Sequence, residues 1–120
     1  MREEEHNIQS ACVRWFAYQH PELKGLLFAV PNGSYRNKAT AGKLKAEGVV
    51  AGVSDLILLV PRIHFNEYTC YYGLCIEMKT AKGRQSPDQK EWQSKVEGYG
   101  YKYAVCHSLD EFINEIEDYL

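Results

Sequence analysis

The sequence predicts an α/β fold in which a mixed β-sheet is flanked by helices. Three observations lead to this prediction: helical periodicity at both ends of the chain, short apolar runs of strand type between them, and the element order α-β-α-β-β-α-β-α. The chain has 120 residues, of which 45% are hydrophobic, so it contains enough apolar material for one core. We therefore expect a single domain spanning residues 1–120.

The first half of the chain contains two expected helices and one expected strand. At about 100° per residue, Ile8, Cys12 and Phe16 share one stripe of the first helix. Glu5 falls on the same stripe, where a carboxylate is costly to bury without a partner. Gly48 can end the second helix. The elements expected here are a helix at 4–19, a strand at 25–30, a turn at 31–34 and a helix at 38–47.

The second half begins with two apolar runs separated by about ten residues, which favours an antiparallel hairpin over a crossover connection. The continuous apolar run of the first strand suggests cover on both faces. A helix begins clearly at Ser86, because Pro87 suits the first helical position and Gln89 completes a capping box. The elements expected here are strands at 55–60 and 68–79, a helix from 87 to 98, a strand at 101–106 and a helix at 108–119.

Composition and charge exclude several classes of protein. The four cysteines and four histidines are scattered without zinc-site spacing, so we expect reduced and mostly buried thiols. No apolar run is long enough for a membrane span and no signal peptide is seen, which predicts a cytosolic protein with no membrane partner. Net charge is only -2, but one run is basic and free of acids, so one face can be cationic. That run contains Arg36, Lys38, Lys43 and Lys45.

An acidic cluster is predicted where the two hairpin strands meet. Glu77 and Lys79 are two positions apart on a strand, so their side chains share one face. A hairpin that turns near residue 66 places Asp55 opposite Glu77, with their Cβ atoms about 5 Å apart. Two carboxylates this close require either a proton or a cation between them.

A divalent metal ion satisfies that requirement. Oxygen ligands without nearby cysteine or histidine select Mg²⁺, with Mn²⁺ as a substitute. Glu5 could supply a third carboxylate to Asp55 and Glu77. Such an ion can activate a bound water and polarise a phosphate, while Lys79 assists the water or the developing charge. The pattern therefore indicates phosphodiester hydrolysis.

Each of these residues also has a simpler interpretation. Glu77 and Lys79 can form an exposed salt bridge of little energetic value. Asp55 can close a turn, and Gln89 can act only as the partner in the capping box. The basic residues, taken singly, are typical of a solvated surface.

Asp55 followed by Glu77-x-Lys79 on the next strand resembles the PD-(D/E)xK nuclease signature and, more narrowly, the VRR-NUC family of virus-type replication-repair nucleases. The resemblance spans nearly the whole chain, and the ordered set is more specific than the acidic core alone. The matching segments are "EHNIQ" (5–9), "PNGS" (31–34), "LKAEGVVAGVSDLILL" (44–59), "IEMKTAKGRQSPDQKEW" (76–92) and "GY" (100–101).

This resemblance implies a restriction-endonuclease-like fold with a defined set of site residues. It implies Glu5, Asp55 and Glu77 as metal ligands, together with the backbone carbonyl of Met78. It further implies Lys79 as the catalytic lysine and Gln89 as a supporting residue that orients the lysine or a phosphate. Two departures are a serine, Ser54, where the family usually has proline before the aspartate, and a rather long separation between Asp55 and Glu77.

Stand-alone members of the family resemble small phage or prophage proteins, which implies a homodimer that cuts branched DNA such as four-way junctions. Two-fold symmetry suits such a substrate. A sequence-specific restriction-type endonuclease and a DNA-binding module that does not cleave are the alternatives. The residues expected to contact the DNA backbone are Asn32, Arg36, Lys43, Lys45, Lys82 and Arg84. The aromatic residues that could cover a dimer surface, or pack in the core, are Phe65, Tyr68, Tyr71 and Tyr72.

Overall fold

The computed structural model describes residues 3–31 and 38–120 and confirms a mixed sheet flanked by helices. The helices are α1 (Glu3–Gln19), α2 (Lys38–Ala46), α3 (Pro87–Gly98) and α4 (Leu109–Tyr119), with a short 3₁₀ turn at Pro21–Leu23. The strands are β1 (Leu27–Ala29), β2 (Leu56–Leu58), β3 (Arg62–His64), β4 (Thr69–Tyr71), β5 (Leu74–Met78) and β6 (Lys102–Cys106). The observed boundaries of α1 and α2 agree with the expected ones to within about two residues.

Four strands form the main sheet in the order β1-β2-β5-β6. Strand β2 is antiparallel to both of its neighbours, β1 and β5, whereas β5 and β6 are parallel. Leu56 pairs with Ile76 and Leu58 with Leu74, which confirms the predicted register. The next pair in this register is Asp55 and Glu77, so the antiparallel pairing itself brings these two residues face to face.

The core lies on the face of the sheet that is covered by α1 and α4. Alternate residues of the central strands point to this face because side chains alternate along a strand. The buried cluster combines strand residues Leu56, Leu58, Leu74, Ile76, Met78, Ala104 and Cys106 with helix residues Cys12, Phe16, Phe112, Ile116 and Tyr119. The opposite face carries Glu77 and Tyr103, and α3 packs there through Trp92, whose ring meets that of Tyr103 edge-on at 6.1 Å.

The expected single strand at 68–79 is wrong. The chain forms two strands there, β4 and β5, and β4 pairs with β3 in a separate two-stranded sheet that the sequence did not reveal. The break falls at Gly73, where an added Cβ would lie 3.1 Å from the carbonyl oxygen of Leu58. Just before it, the N–H of Tyr72 donates to the carbonyl of Gly100, at 2.9 Å. Cover on both faces of β2 is also incomplete, since Leu56 and Leu58 are buried but Ile57, on the opposite face, is only partly buried.

The expected capping box at the start of α3 is confirmed. The N–H of Gln89 donates to Ser86 Oγ at 3.2 Å, and the N–H of Ser86 donates to Gln89 Oε1 at 2.8 Å. Two backbone N–H groups at the start of α3 thereby find hydrogen-bond partners in side chains three residues away. Elsewhere, the cysteines are free and three of the four are buried, as expected. Within the described residues, none of the helices is long and apolar enough to cross a membrane.

Candidate active site

A polar cavity of about 220 Å³ opens where β2 begins and β5 ends. The two strands run in opposite directions, so the first residue of one and the last residues of the other meet at the same end of the sheet. The start of α3 and the first turns of α1 complete the walls. Side chains and backbone that line it include Glu5, Gly52, Asp55, Glu77, Lys79 and Gln89. A larger, mainly apolar cavity of about 400 Å³ beside the end of α1 contains none of these residues.

Two hydrogen bonds fix the position of Asp55, one accepted by its own carboxylate and one donated by the preceding residue. Its Oδ2 accepts the N–H of Met78 at 2.7 Å, so the carboxylate takes the place of a ladder carbonyl at the end of the β2–β5 pairing. The preceding Ser54 is fully buried, and its hydroxyl donates to the carbonyl of Leu56 at 3.1 Å. This bond restrains the chain just before Asp55, at the position where the family resemblance led us to expect a proline.

Glu77 is the most perturbed titratable residue of the cavity. It is 2% exposed, and burial raises its pKa from 4.5 to about 9. Asp55 adds to the rise through a hydrogen bond and through its charge, whereas Lys79 and Tyr103 oppose it. A carboxyl group in these surroundings holds a proton near neutral pH unless a cation replaces it.

Lys79 and Gln89 both approach the same oxygen of Glu77. Lys79 Nζ lies 4.0 Å from Glu77 Oε2, and Gln89 Nε2 donates to that oxygen at 3.1 Å. The side chains of Glu77 and Lys79 are only 3% and 14% exposed, which rules out the interpretation of an exposed surface salt bridge. Gln89 is more than a cap, because its Oε1 is held by the N–H of Ser86 and its amide nitrogen is thereby aimed at Glu77.

Tyr103 was not among the residues expected at the site. Its side chain projects from β6 on the same face as Glu77, and its hydroxyl lies 3.4 Å from Glu77 Oε1. Register shows why: Tyr103 pairs with Cys75, which is two residues before Glu77 and shares its face. The signal in the sequence is the alternation of "YKYAVC", which becomes informative only once β6 is known to lie parallel to β5.

The donor set fits a hard divalent ion. Asp55 and Glu77 bring two carboxylates together, and Met78, whose carbonyl is an expected ligand, lines the same cavity. A cation would offset the cost that keeps Glu77 protonated. Glu5 lines the same cavity. Among residues 3–31 and 38–120, however, no three His, Cys, Asp or Glu side chains lie close enough together to hold a metal ion by themselves. Mg²⁺ usually needs only one or two carboxylates, with water and substrate phosphate as further ligands.

The expected DNA contacts fall into three groups. Lys43 and Lys45 are exposed on α2. Lys82 and Arg84 are exposed in the loop from β5 to α3, whose ends, Lys79 and Ser86, both line the cavity. The remaining two expected contacts, Asn32 and Arg36, lie outside the described residues.

Fold and site together define an α/β protein with a buried glutamate, a half-buried aspartate opposite it and a lysine at one end of a mixed sheet. Comparison with known proteins agrees with this class. The model of the VRR-NUC domain matches residues 3–110. A solved structure described as a VRR_NUC domain protein superposes with a TM-score of 0.81 at 27% identity, covering 100% of this chain and 90% of that one. No curated protein matches the sequence. The chain belongs to the VRR-NUC family, which is a family of nucleases.

Proposed function

We propose that this protein is a Mg²⁺-dependent endonuclease that hydrolyses phosphodiester bonds in structured or branched DNA. The observation that carries the proposal is the pair formed by the buried Glu77 and the half-buried Asp55, which faces Lys79 and Gln89 in one polar cavity. A stable fold gains nothing from a buried carboxyl group set against a second carboxyl group, because desolvation and mutual repulsion are both costly. A nuclease gains from them a binding site for a hard cation.

Each residue then has a role that follows from its contacts. Asp55, Glu77 and the Met78 carbonyl would hold the ion, with Glu5 reaching it directly or through water. When bound, the ion supplies Lewis acidity toward the phosphate and an acidified water. Lys79, close to Glu77 Oε2, places positive charge where negative charge develops on the phosphate oxygens. Gln89 fixes the orientation of the Glu77 carboxylate.

The distribution of basic residues supports recognition of DNA shape. Lys82 and Arg84 flank the cavity along one loop, and Lys43 and Lys45 project from α2. Such exposed cations contact phosphates and carry no sequence information. We therefore favour a structured or branched substrate over a restriction-type one. The phage or prophage origin rests on the family resemblance alone, and the cytosolic site of action is the expectation drawn from the sequence.

A homodimer is part of the proposal, and exposed aromatic side chains support it. Phe65 is 79% exposed, Tyr68 97% and Tyr72 62%, so these three do not pack in the core. Tyr71 does pack inside, with its ring 6.2 Å from that of Tyr119. Exposed tyrosine and phenylalanine side chains are enriched at protein interfaces. Light scattering coupled to size exclusion should give the mass of two chains, and Phe65→Ser with Tyr68→Ser should shift it toward one; a wild-type mass of one chain would contradict the dimer.

Cleavage assays test the proposed activity. The purified protein is incubated with a labelled four-way junction, a flap and a linear duplex, in Mg²⁺, in Mn²⁺ or with chelator. We expect cutting of the branched substrates in either metal, none in chelator, and none by Asp55→Asn or Lys79→Ala. Binding without cutting in any metal would identify a DNA-binding module instead, and sequence-specific cutting of the linear duplex would identify a restriction-type enzyme. Full activity of either variant would refute the assigned roles.

A further inference from the structure

Tyr103 lies deep beside the site although its part of the sequence carries no nuclease motif. The residue is 7% exposed, so its ring is held by the surrounding protein. Trp92 of α3 contacts it edge-on, with ring centroids 6.1 Å apart. Its hydroxyl lies 3.4 Å from Glu77 Oε1. A buried hydroxyl needs a partner, and this one has a carboxylate oxygen.

A second contact sets the direction of that hydrogen bond. Gln85 Nε2 lies 3.4 Å from the Tyr103 hydroxyl and 2.8 Å from Gln93 Oε1. An amide nitrogen only donates, so the hydroxyl oxygen accepts from Gln85. The hydroxyl proton is then directed at Glu77. Because Gln93 Oε1 accepts from Gln85 Nε2, it fixes which end of the Gln85 amide faces Tyr103. A series of hydrogen bonds therefore connects Gln93 of α3, through Gln85 and Tyr103, to the carboxylate of Glu77.

The two oxygens of Glu77 are consequently held from two elements. Gln89 of α3 donates to Oε2 at 3.1 Å, and Tyr103 of β6 donates to Oε1 at 3.4 Å. With both oxygens engaged, the carboxylate plane cannot rotate freely. Outer hydrogen bonds of this kind orient metal ligands, and their loss typically costs about 10–100-fold in metal affinity or activity.

We propose that Tyr103, oriented by Gln85, is a positioning residue that holds the Glu77 carboxylate in the orientation required for metal binding. The inference rests on the proposed function, because it takes Glu77 to be a metal ligand. It assigns Tyr103 no contact with DNA or with the reacting phosphate. Its effect should therefore appear in metal affinity and in the turnover number, and not in the affinity for DNA.

Tyr103→Phe tests this proposal, and Tyr119→Phe is its matched control. Tyr119 is also buried and donates its hydroxyl to a backbone carbonyl, that of Val60, at 2.6 Å. Mn²⁺ binding to the full chain is measured by titration calorimetry, and unfolding in urea gives the stability of each variant. We expect Tyr103→Phe to weaken Mn²⁺ binding about 10-fold and Tyr119→Phe to leave it unchanged, although both lose a buried hydrogen bond.

Kinetics on the four-way junction give the second readout. For Tyr103→Phe we expect a lower kcat at limiting Mn²⁺, partial recovery as Mn²⁺ is raised, and an unchanged KM for DNA. Gln85→Met should weaken Mn²⁺ binding in the same direction but less, because the hydroxyl remains. Wild-type Mn²⁺ affinity in Tyr103→Phe, or equal losses in Tyr103→Phe and Tyr119→Phe, would overturn the proposal. If the wild type cuts no DNA, the proposed activity fails, while the comparison of Mn²⁺ affinities still decides the role of Tyr103.

Discussion

Replacing Glu77 by glutamine should remove a pH-dependent loss of stability from the metal-free protein, so the stability of the variant should rise relative to that of the wild type as the pH rises. Burial, followed by the effect of Asp55, raises the pKa of Glu77 from 4.5 to about 9. Between these two values the folded protein holds a proton that the unfolded chain has lost. The stability contributed by this proton is complete below the unfolded pKa and is lost as the pH rises through the folded pKa. Glutamine does not titrate, so the variant escapes this loss.

The size of the effect follows from the pKa difference. Each pKa unit corresponds to about 1.36 kcal/mol. Between about pH 6 and pH 8, the free energy of unfolding of the wild type should fall by about 2.7 kcal/mol relative to that of Glu77→Gln. Over the whole window from pH 4.5 to about 9 the change is at most about 6 kcal/mol.

Urea unfolding followed by circular dichroism, in chelator and at several pH values, measures this difference. Glu91→Gln is the matched control, because it removes the same charge from a side chain that is 68% exposed on α3. We expect the stability of the control to follow that of the wild type with pH, while that of Glu77→Gln diverges upward. Parallel curves for Glu77→Gln and the wild type would refute the view that burial and Asp55 keep this carboxyl group protonated.

Three further predictions concern the metal, the start of α3 and the loop beside the site. Because Mn²⁺ binding must displace the proton of the buried glutamate into the solvent, the Kd for Mn²⁺ should fall about tenfold per pH unit from about pH 6 to pH 8 in calorimetry, and a constant Kd would contradict proton release. Gln89→Ala and Ser86→Ala should each lower the free energy of unfolding in urea by about 1 kcal/mol, because each removes a bond of the capping box. Only Gln89→Ala should also reduce DNA cutting, and an equal loss of cutting in both variants would mean that Gln89 acts only as a helix cap. Gly52→Ala should cost about 2 kcal/mol or more, since Gly52 has φ +86° and a Cβ there would overlap the backbone of Asp88. Gly42→Ala, in open space on α2, should stabilise by about 0.5–1 kcal/mol in the same unfolding assay, and similar costs at both glycines would contradict the overlap.

Features that depend on local periodicity could be predicted from the sequence. The register that brings Asp55 to Glu77 follows from alternation along two strands and the position of one turn, and the structure confirms it. The capping box of Ser86 and Gln89 is local as well, because its two hydrogen bonds join residues three positions apart. The capping box is thus determined by a short stretch of chain, and the register by two strands that lie on either side of one turn.

Features that depend on distant parts of the chain could not be predicted. The split between β4 and β5 follows from the close approach of Gly73 to Leu58 and from the bond of Tyr72 to Gly100. Tyr103 comes into range of Glu77 only because β6 is parallel to β5, and nothing within residues 101–106 specifies that neighbour. The position of Glu5 depends on how α1 lies against the sheet, so the sequence indicated its buried side but not its distance from the carboxylate pair.

The excursion that forms β3 and β4 leaves the main sheet after β2 and returns at β5, at the end opposite Asp55 and Glu77. Residues inserted in the turn between β3 and β4 should therefore change neither the pairing of β2 with β5 nor the start of α3. A small fluorescent label grafted at this turn should leave the hydrolytic centre with its geometry, while it alters the exposed aromatic residues proposed for the dimer surface.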